Sequence, residues 1–429
     1  WTPPVGIALE ADGLSAALAV MTALVMCGAA AEARHGLAPA KAGERAAFGF
    51  WPLMLLLWAA LNAIFLSRDL FNFYVGIELL SLAAIGLVAL EGKPAALAAA
   101  MRYMFFALAG SLLYLAGVVL CHAAHGVLDI DLIANRSPAP TDGLALALMT
   151  AGLLAKAALF PFHVWLPPAH GAAPAPASAL LSALVPKASF AILLRLWFDS
   201  MPDTASATAL PALALLGTAA VIWGSLGALA QTRLKRIVAY STVAQIGYLF
   251  LVFPLAGGSA AAMPWAAGAW NGAVFLALSH GLAKAAMFLA VGQWIAATGS
   301  DRLDDLRGMA GAMPMTAFGF ALAAITLIGL PPSGGFTGKY LLMTSAFAAE
   351  RPAWGLVIAG GGLLAAAYLY RPMAVLFAQP EAPPPAPTSR ARQAVPLLLA
   401  GAAILLGIAS AGPFDLLSVG RPSAAEEGL

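Results

Sequence analysis

The chain has little cysteine and little charge, and both shortages narrow what it can be. Only two cysteines, Cys27 and Cys121, occur in 429 residues, too few for a disulfide framework or a metal cluster. Charged residues make up 10% of the sequence, against about 25% in a soluble domain. The sequence also lacks a nucleotide-binding loop, a zinc-ligand spacing, a haem motif and a catalytic triad. We therefore expect no metal, no cofactor, no catalytic redox site and no nucleic-acid partner.

What the sequence has in excess is hydrophobic residues, at 62% of the total with a mean hydropathy of +0.87. These residues form runs of about 20, the length needed to cross a bilayer as a helix. They predict an all-α membrane protein with about twelve transmembrane helices in a single polytopic domain covering 1–429. The predicted spans are 12–33, 46–66, 69–90, 98–121, 143–165, 175–197, 208–230, 236–255, 267–296, 313–348, 353–376 and 394–412.

Lysine and arginine are distributed unevenly between the two sides of these spans. The side reached after odd-numbered spans holds Arg34, Lys41, Arg45, Lys93, Arg102, Arg233, Lys235, Arg236, Arg302, Arg307, Arg371, Arg390 and Arg392. The opposite side holds Arg68, Arg136, Arg195, Arg351 and Arg421. Because the richer side normally faces the cytoplasm, both ends of this chain are predicted to lie outside.

Two of the predicted spans contain helix-breaking residues. The fifth includes AKAALFPFHVWLPPAH around Pro161, and the tenth includes ITLIGLPPSGGFTGKYLL around Pro331 and Pro332. Proline removes a backbone donor and clashes with the preceding turn, so each span should be broken. Broken helices in corresponding positions of two halves indicate an inverted repeat with a site at mid-membrane. The predicted five-helix repeats are 46–197 and 236–376, followed by a C-terminal helix at 394–412.

Five ionisable side chains lie inside the apolar runs: Lys156, Lys187, Lys284, Lys339 and Glu78. A charge in hydrocarbon costs several kcal/mol, so such residues usually face the protein interior and mark an ion or proton path. The alternative is a lysine near a span end whose side chain reaches the headgroups. That alternative could explain a single lysine, but it does not readily explain four lysines and a glutamate that all lie near the middle of their spans. Each broken span carries one of the lysines, Lys156 or Lys339.

Several motifs resemble those of a known membrane family. The run KAALFPFHVWLPPAHGAAPAPASALLSALVPK resembles the signature of the antiporter-like membrane subunits of respiratory complex I. The family also includes the D and A subunits of multisubunit cation/proton antiporters and the membrane arms of energy-converting hydrogenases. Further similar motifs are RDLFNFYVGIELLSL, QTRLKRIVAYSTVAQIGYL, SHGLAKAAMFL, DDLRGM and GLPPSGGFTGK. Together they cover most of the chain from about residue 10 to residue 376.

The resemblance implies roles for the buried ionisable residues. It implies that a glutamate pairs with the lysine of the first broken helix and that a second lysine lies in the following helix. It also implies that a histidine and a lysine form a central relay and that a last lysine lies in the second broken helix. The matching residues, named here the central file, are Glu78, Lys156, Lys187, His280, Lys284 and Lys339. His280 and Lys284 are four residues apart, so both can lie on one helix face and share a water chain.

Accessory positions and departures from the family pattern are also visible. His163 follows the first break, where it either gates water or caps the broken helix, and Lys235 lies in the Leu-Lys-Arg motif. Gln245 occupies a position that is histidine in some members, while Pro168 and Arg233 stand where acidic residues are common. The family usually has fourteen helices and this chain resembles the last twelve. We therefore expect a first helix pair that is absent from this sequence or separately encoded.

We therefore expect a proton-translocating, multi-pass subunit of a larger complex in the bacterial inner membrane. This complex would be an NADH-quinone oxidoreductase, a hydrogenase or an Mrp-type antiporter. The expected partners are the other membrane subunits and the surrounding lipid bilayer, and the candidate ions are protons and sodium. Any redox chemistry would belong to the partner subunits. Two alternatives are a standalone secondary transporter of a small solute and a passive structural subunit. A solute carrier needs one central pocket rather than a row of titratable groups, and a structural subunit needs no buried lysines.

Overall fold

The chain folds as a bundle of long apolar helices. The computed structural model describes residues 2–37, 44–204, 208–380, 383 and 386–421. Within those ranges ten helices are long and apolar enough to cross a membrane, and they correspond to ten of the twelve predicted spans. The all-α membrane fold is therefore confirmed. Lys41, which entered the count of positive charges, lies outside the described residues, as does part of the proline-rich stretch before Ser389.

The helices follow one another with short connections, and the two broken spans appear as pairs of shorter helices. The main helices, in chain order, are α1 (Gly13–Gly36), α2 (Arg45–Leu66), α3 (Leu70–Val88), α4 (Pro94–His125), α5 (Asp142–Lys156), α6 (Leu166–Ala172), α7 (Ala175–Ser200), α8 (Ala209–Leu229), α9 (Leu234–Ala256), α10 (Ala266–Thr298), α11 (Pro314–Ile328), α12 (Gly334–Ala348), α13 (Pro352–Phe377) and α14 (Arg390–Ile408). Three short helices, Ile130–Ala134, Met309–Ala312 and Ala411–Ser418, are left unnumbered.

Both predicted breaks are present. The predicted span 143–165 is wrong beyond Lys156, because α5 ends there and the chain passes through turns before α6 begins at Leu166. Pro161 lies in that interruption, where a proline cannot extend a helix. The predicted span 313–348 is interrupted between Ile328 and Gly334. The predicted relation of 46–197 to 236–376 as inverted repeats stays a prediction.

The backbone groups that each break leaves free find partners within the protein. Gly329 ends α11 with a left-handed φ of 88°, a conformation that glycine adopts without strain. Ser333 is the N-cap residue of α12, and its hydroxyl accepts a hydrogen bond from the Phe336 amide at 3.1 Å. At the first break, Trp165 Nε1 donates to the Ala155 carbonyl at 3.0 Å. These contacts satisfy the requirement for internal partners at membrane depth.

Three helices form the centre of the bundle. In the most apolar segments of α7, α9 and α10, 94–100% of the residues are buried inside the protein. In those of the other long helices, only 33–50% of the residues are buried. A helix that is apolar on all sides is stable only when it is surrounded by other apolar groups, protein or lipid. The central helices are therefore enclosed by protein, and the flanking helices present their remaining apolar surface to the bilayer. Lys187 lies on α7, and His280 and Lys284 lie on α10.

Glycine pairs bring backbones close together beside both broken helices. A methyl group added at Gly152 on α5 would lie 2.3 Å from the Gly110 carbonyl oxygen on α4. A methyl group at Gly338 on α12 would lie 2.8 Å from the Gly272 carbonyl oxygen on α10. Small residues at membrane helix contacts allow this approach. The two contacts fix the helix positions next to Lys156 and Lys339.

Candidate functional site

The first ion pair of the central file joins Glu78 on α3 to Lys156 on α5. The Lys156 ammonium lies 3.0 Å from Glu78 Oε1 and donates to the Ser81 hydroxyl at 2.8 Å. Glu78 also accepts a hydrogen bond from the Ser111 hydroxyl. Lys156 is the last residue of α5, where the helix dipole favours a cation. The predicted contact between Glu78 and Lys156 is confirmed, and the two serines complete a polar cluster that the sequence did not indicate.

The second element of the file is a contact between two nitrogen bases. Lys187 Nζ on α7 lies 2.5 Å from His280 Nδ1 on α10, and both side chains are buried. Lys187 also donates to the Ser182 carbonyl at 3.0 Å. Among the described residues, His280 Nε2 has no hydrogen-bond partner. His280 can therefore receive a proton on one nitrogen and release a proton from the other.

Lys284 reaches a different helix from its neighbour His280. Its ammonium donates to the Val238 carbonyl at 2.9 Å and to the Ser241 hydroxyl, both on α9. His280, one turn earlier on α10, contacts α7 instead. The two residues thus connect the three central helices, with α10 in the middle. Lys284 is wholly buried and has no carboxylate among its hydrogen-bond partners in the described chain.

Lys339 binds the end of the preceding half-helix. From α12 its ammonium donates to the Leu327 and Ile328 carbonyls at 2.8 and 3.1 Å, the C-terminal end of α11. Free carbonyls at a helix C-terminus carry partial negative charge and stabilise a cation. The ammonium also lies 4.4 Å from the centre of the Tyr248 ring. Gln245 Nε2 donates to the same Leu327 carbonyl at 2.9 Å, which brings this predicted accessory residue beside Lys339.

The accessory residue Lys235 lines a surface cleft of about 760 Å³ whose wall also includes Lys93, Arg233 and Arg302. Lys235 is buried at the start of α9 and donates to the Ala173 carbonyl at the end of α6.

His170 connects that region to the centre, and the sequence alone assigned it no role in the path. Its ring is buried, stacks on Phe288 of α10 at 4.8 Å and lies within electrostatic range of Lys235, Lys284 and Lys187. Its Nδ1 atom has no hydrogen-bond partner among the described residues. The sequence feature that could have indicated this role is the position of His170 two residues after the Pro167–Pro168 pair.

His163, the remaining accessory residue, lies apart from the central file. It is buried in the short turn Phe162–Trp165 after the first break, with its ring near those of Phe160 and Trp223. The contacts described for its ring are thus to aromatic residues rather than to a lysine. A role in gating water stays a prediction.

Two further buried ionic clusters lie outside the central file. At the N-terminal end of α1 and the C-terminal end of α7, Arg195 binds Asp12 at 2.6 Å and Asp199 at 2.9 Å, and Arg68 shares Asp199 at 2.9 Å. Burial raises the pKa of Asp12, but its hydrogen bond to Arg195 and the charge of that arginine lower it more, to below its usual range. This cluster ties three helix ends together.

The second cluster joins Glu32 on α1 to Arg392 on α14, with atoms 2.5–2.8 Å apart. Gln293 of α10 donates to Glu32 at 3.0 Å and accepts from Thr316 at 2.7 Å. These contacts fasten the C-terminal helix to the centre. No group of three His, Cys, Asp or Glu side chains in the described ranges is placed to hold a metal ion.

Comparison with known proteins decides the family. Residues 67–365 match the family described as NADH:quinone oxidoreductase/Mrp antiporter, transmembrane. The chain belongs to this family. The match covers both broken helices and every residue of the central file.

Relatives and a solved structure agree with that assignment. The chain is 35% identical to NADH-quinone oxidoreductase subunit N of Desulforudis audaxviator over 424 residues, covering 95% of this chain and 82% of the relative. It is 31% identical to the D subunit of the Na⁺/H⁺ antiporter of Bacillus subtilis, covering 81% and 69%. A chain of the Mrp complex from Dietzia sp. DQ12-45-1b shares the fold with a TM-score of 0.87 at 26% identity, covering 97% and 84%. The chain is thus similar to antiporter-like membrane subunits of multisubunit complexes.

Proposed function

We propose that the chain translocates protons as a subunit of a larger membrane complex, and that the central file is its path. The observation that carries the proposal is the succession of buried ionisable groups across the central helices. It runs from the pair Glu78–Lys156 through Lys187–His280 to Lys284 and Lys339. Burying each charge is costly, so a row of them indicates a path rather than packing.

The chemistry of these side chains suits protons. A lysine alternates between an ammonium and an amine, and a histidine exchanges protons near neutral pH. Lys187 Nζ and His280 Nδ1 are 2.5 Å apart, so one proton shared between them forms a hydrogen bond. If both groups were protonated, the two cations would repel one another. A proton that reaches Lys187 therefore has a direct route to His280. Breaking the Glu78–Lys156 pair would raise the tendency of a proton to move along the file.

For proton uptake we propose a route from the 760 Å³ cleft. Lys93, Arg233 and Arg302 mark the cleft as part of the predicted cytoplasmic face. Lys235 lines this cleft, and His170 lies within electrostatic range of both Lys235 and the central lysines Lys187 and Lys284. Water in the cleft would exchange protons with Lys235, and His170 would pass them inward.

The names of the relatives support two settings for this subunit. One relative is a subunit of an NADH-quinone oxidoreductase and another is a subunit of a Na⁺/H⁺ antiporter. We propose that this chain assembles with other membrane subunits of such a complex, in a bacterial plasma membrane with both of its ends outside. Protons are the proposed transported ion, and sodium is a candidate for exchange. A solute transporter is less well supported, because side chains of the central file fill the middle of the bundle.

The function is tested with everted membrane vesicles from cells that lack the native chain and carry a tagged copy. Proton uptake is followed with a pH-sensitive dye, first with NADH and then with an imposed sodium gradient, and the copurifying subunits are identified. We expect one of the two driving forces to move protons in vesicles with the wild-type chain. We expect loss of that movement with Lys187→Ala, at unchanged complex content. Normal proton movement by the Lys187→Ala complex would reject the proposal.

The orientation is tested separately by cysteine labelling. After Cys27 and Cys121 are replaced by alanine, single cysteines are introduced at the exposed positions Arg136 and Arg302. A maleimide that cannot cross membranes should label Arg136→Cys in intact spheroplasts and Arg302→Cys only in everted vesicles. The reverse pattern would place both chain ends inside.

A further inference from the structure

The central file is interrupted between Lys284 and Lys339. Lys284 donates to the Ser241 hydroxyl, and Lys339 donates to the Leu327 carbonyl, where Gln245 also donates. Ser241 and Gln245 are four residues apart on α9, so their side chains lie one turn apart on the same helix face. Two polar clusters thus approach each other along α9 without a direct hydrogen bond between them.

Tyr368 of α13 occupies the space beside both clusters. Its side chain is 1% exposed, and its hydroxyl lies near Ser241 and Gln245. It forms no well-aligned hydrogen bond with any of the described residues, and Gln245 Oε1 likewise has no donor. Buried hydroxyls and amides are almost always hydrogen-bonded. A donor and an acceptor that lie close together and are both unpaired therefore point to a contact that forms in another state of the protein.

We propose that Tyr368 is a positioning residue for proton transfer between Lys284 and Lys339. This inference rests on the proposed function of the central file. When the Ser241 hydroxyl turns away from the Val238 carbonyl, which it contacts at 2.9 Å, it can donate to the Tyr368 oxygen. The Tyr368 hydroxyl then donates to Gln245 Oε1, and a hydrogen-bonded chain runs from Lys284 to Gln245. When Lys339 is a neutral amine, the Gln245 Nε2 group, which shares the Leu327 carbonyl with Lys339, can donate to the Lys339 nitrogen instead. One proton then leaves Lys284 for Ser241, Gln245 Oε1 gains one from Tyr368, and Gln245 Nε2 gives one to Lys339, after which the imidic acid form of Gln245 reverts to the amide.

The proposed role depends on the hydroxyl group of Tyr368 and not on its ring. Its ring is enclosed by protein, whereas Tyr370, two residues later on α13, is 73% exposed. Removing the hydroxyl at position 368 breaks the proposed chain and changes the packing little. Removing it at position 370 changes only the surface. Tyr370→Phe is therefore a matched control on the same helix.

The test measures proton uptake by everted vesicles that contain the intact complex. Tyr368→Phe should lower the rate about fivefold, the effect expected for one lost hydrogen bond, and Tyr370→Phe should leave it unchanged. Two further variants separate hydroxyl from ring by incorporation of unnatural residues at position 368. With 3-fluorotyrosine, which keeps the hydroxyl, the rate should return to near that of the wild type. With 4-fluorophenylalanine, which keeps the shape without the hydroxyl, the rate should stay low.

Each outcome of this test decides between the alternatives. A normal rate with Tyr368→Phe, or recovery with 4-fluorophenylalanine, would overturn the inference. If Tyr368→Phe does not assemble, the two fluorinated residues give the same decision. Lys284→Ala in the same vesicles separates this inference from the proposed function. If Lys284→Ala is inactive and Tyr368→Phe is normal, only the role of Tyr368 fails, whereas normal uptake by Lys284→Ala would reject the path itself.

Discussion

Lys187 Nζ lies 2.5 Å from Nδ1 of His280, a contact between two bases at the centre of the bundle. The helices that carry them, α7 and α10, have completely buried apolar segments. Because no carboxylate is hydrogen-bonded to either side chain in the described ranges, one proton shared by the two nitrogens is more favourable than two. This contact is a step at which a proton can pass between helices, and the following predictions concern the groups on either side of it.

We predict that Glu78→Gln will reduce proton translocation strongly while the complex still assembles. The substitution keeps the shape of the side chain but removes the negative charge that stabilises the Lys156 ammonium at 3.0 Å. Proton uptake by everted vesicles measures the effect, and native gels measure assembly. Glu350→Gln at the exposed end of α12 is the control and should have no effect. Unchanged translocation by the Glu78→Gln complex would show that the pair is structural.

Lys339→Ala should affect translocation far more than stability. The substitution removes the donor to the Ile328 carbonyl, which costs about 1–3 kcal/mol for a buried group, while Leu327 keeps its bond from Gln245. Relief of the cost of burying an ammonium partly offsets that loss. We expect a small shift in the thermal unfolding of the purified complex together with loss of proton uptake. A complex that dissociates instead would indicate that Lys339 serves mainly to hold α11 and α12 together.

The ionic cluster around Arg195 should contribute to stability rather than to transport. Arg195→Ala leaves Asp12 and Asp199 near one another without their shared partner, a change that costs about 3–5 kcal/mol for a buried pair. It also removes the hydrogen bond and the charge of Arg195, the two largest of the causes that lower the pKa of Asp12. Thermal unfolding of the complex should show clear destabilisation, whereas Arg136→Ala at an exposed site should shift stability by less than about 0.5 kcal/mol. Equal stability of the two variants would contradict the assignment.

The two halves of the chain should be related by rotation about an axis in the membrane plane. An experimental structure of the assembled complex would allow 46–197 to be superposed on 236–376 after that rotation. We expect α5 and α6 to fall on α11 and α12, with the breaks after Lys156 and Ile328 in register. Failure of the superposition would reject the repeat and leave the two breaks as independent features.

The sequence indicated the titratable part of the site because buried charge is costly and therefore conspicuous. Lys156, Lys187, Lys284 and Lys339 stood out in apolar runs for this reason. Ser81, Ser111 and Ser241 did not, because serine is common in membrane helices and its burial cost is small. The partners of Lys339 are backbone carbonyls, which no residue type identifies.

The sequence predicted the membrane helices wherever a hydrophobic run was long enough to span the bilayer. Ten spans follow directly from runs of about 20 residues, and the prolines marked both interruptions. The prediction extended a helix beyond Lys156 because hydropathy remains high through FPFHVW. Contacts between distant segments, such as Glu32 with Arg392, could not be predicted, since nothing in one chain sequence links two helices 360 residues apart.

The most direct test of the central claim is to ask whether Lys284 must lose its proton. Lys284→Arg keeps a cation at that position, but a guanidinium stays protonated at any physiological pH. Proton uptake by everted vesicles is compared for Lys284→Arg, Lys284→Ala and Arg136→Lys, in which Arg136 is exposed and lies outside the uptake cleft. If Lys284 carries protons, both substitutions at 284 should abolish uptake in assembled complexes, and Arg136→Lys should retain it. Normal uptake by the Lys284→Arg complex would contradict the claim, because a fixed charge would then be enough.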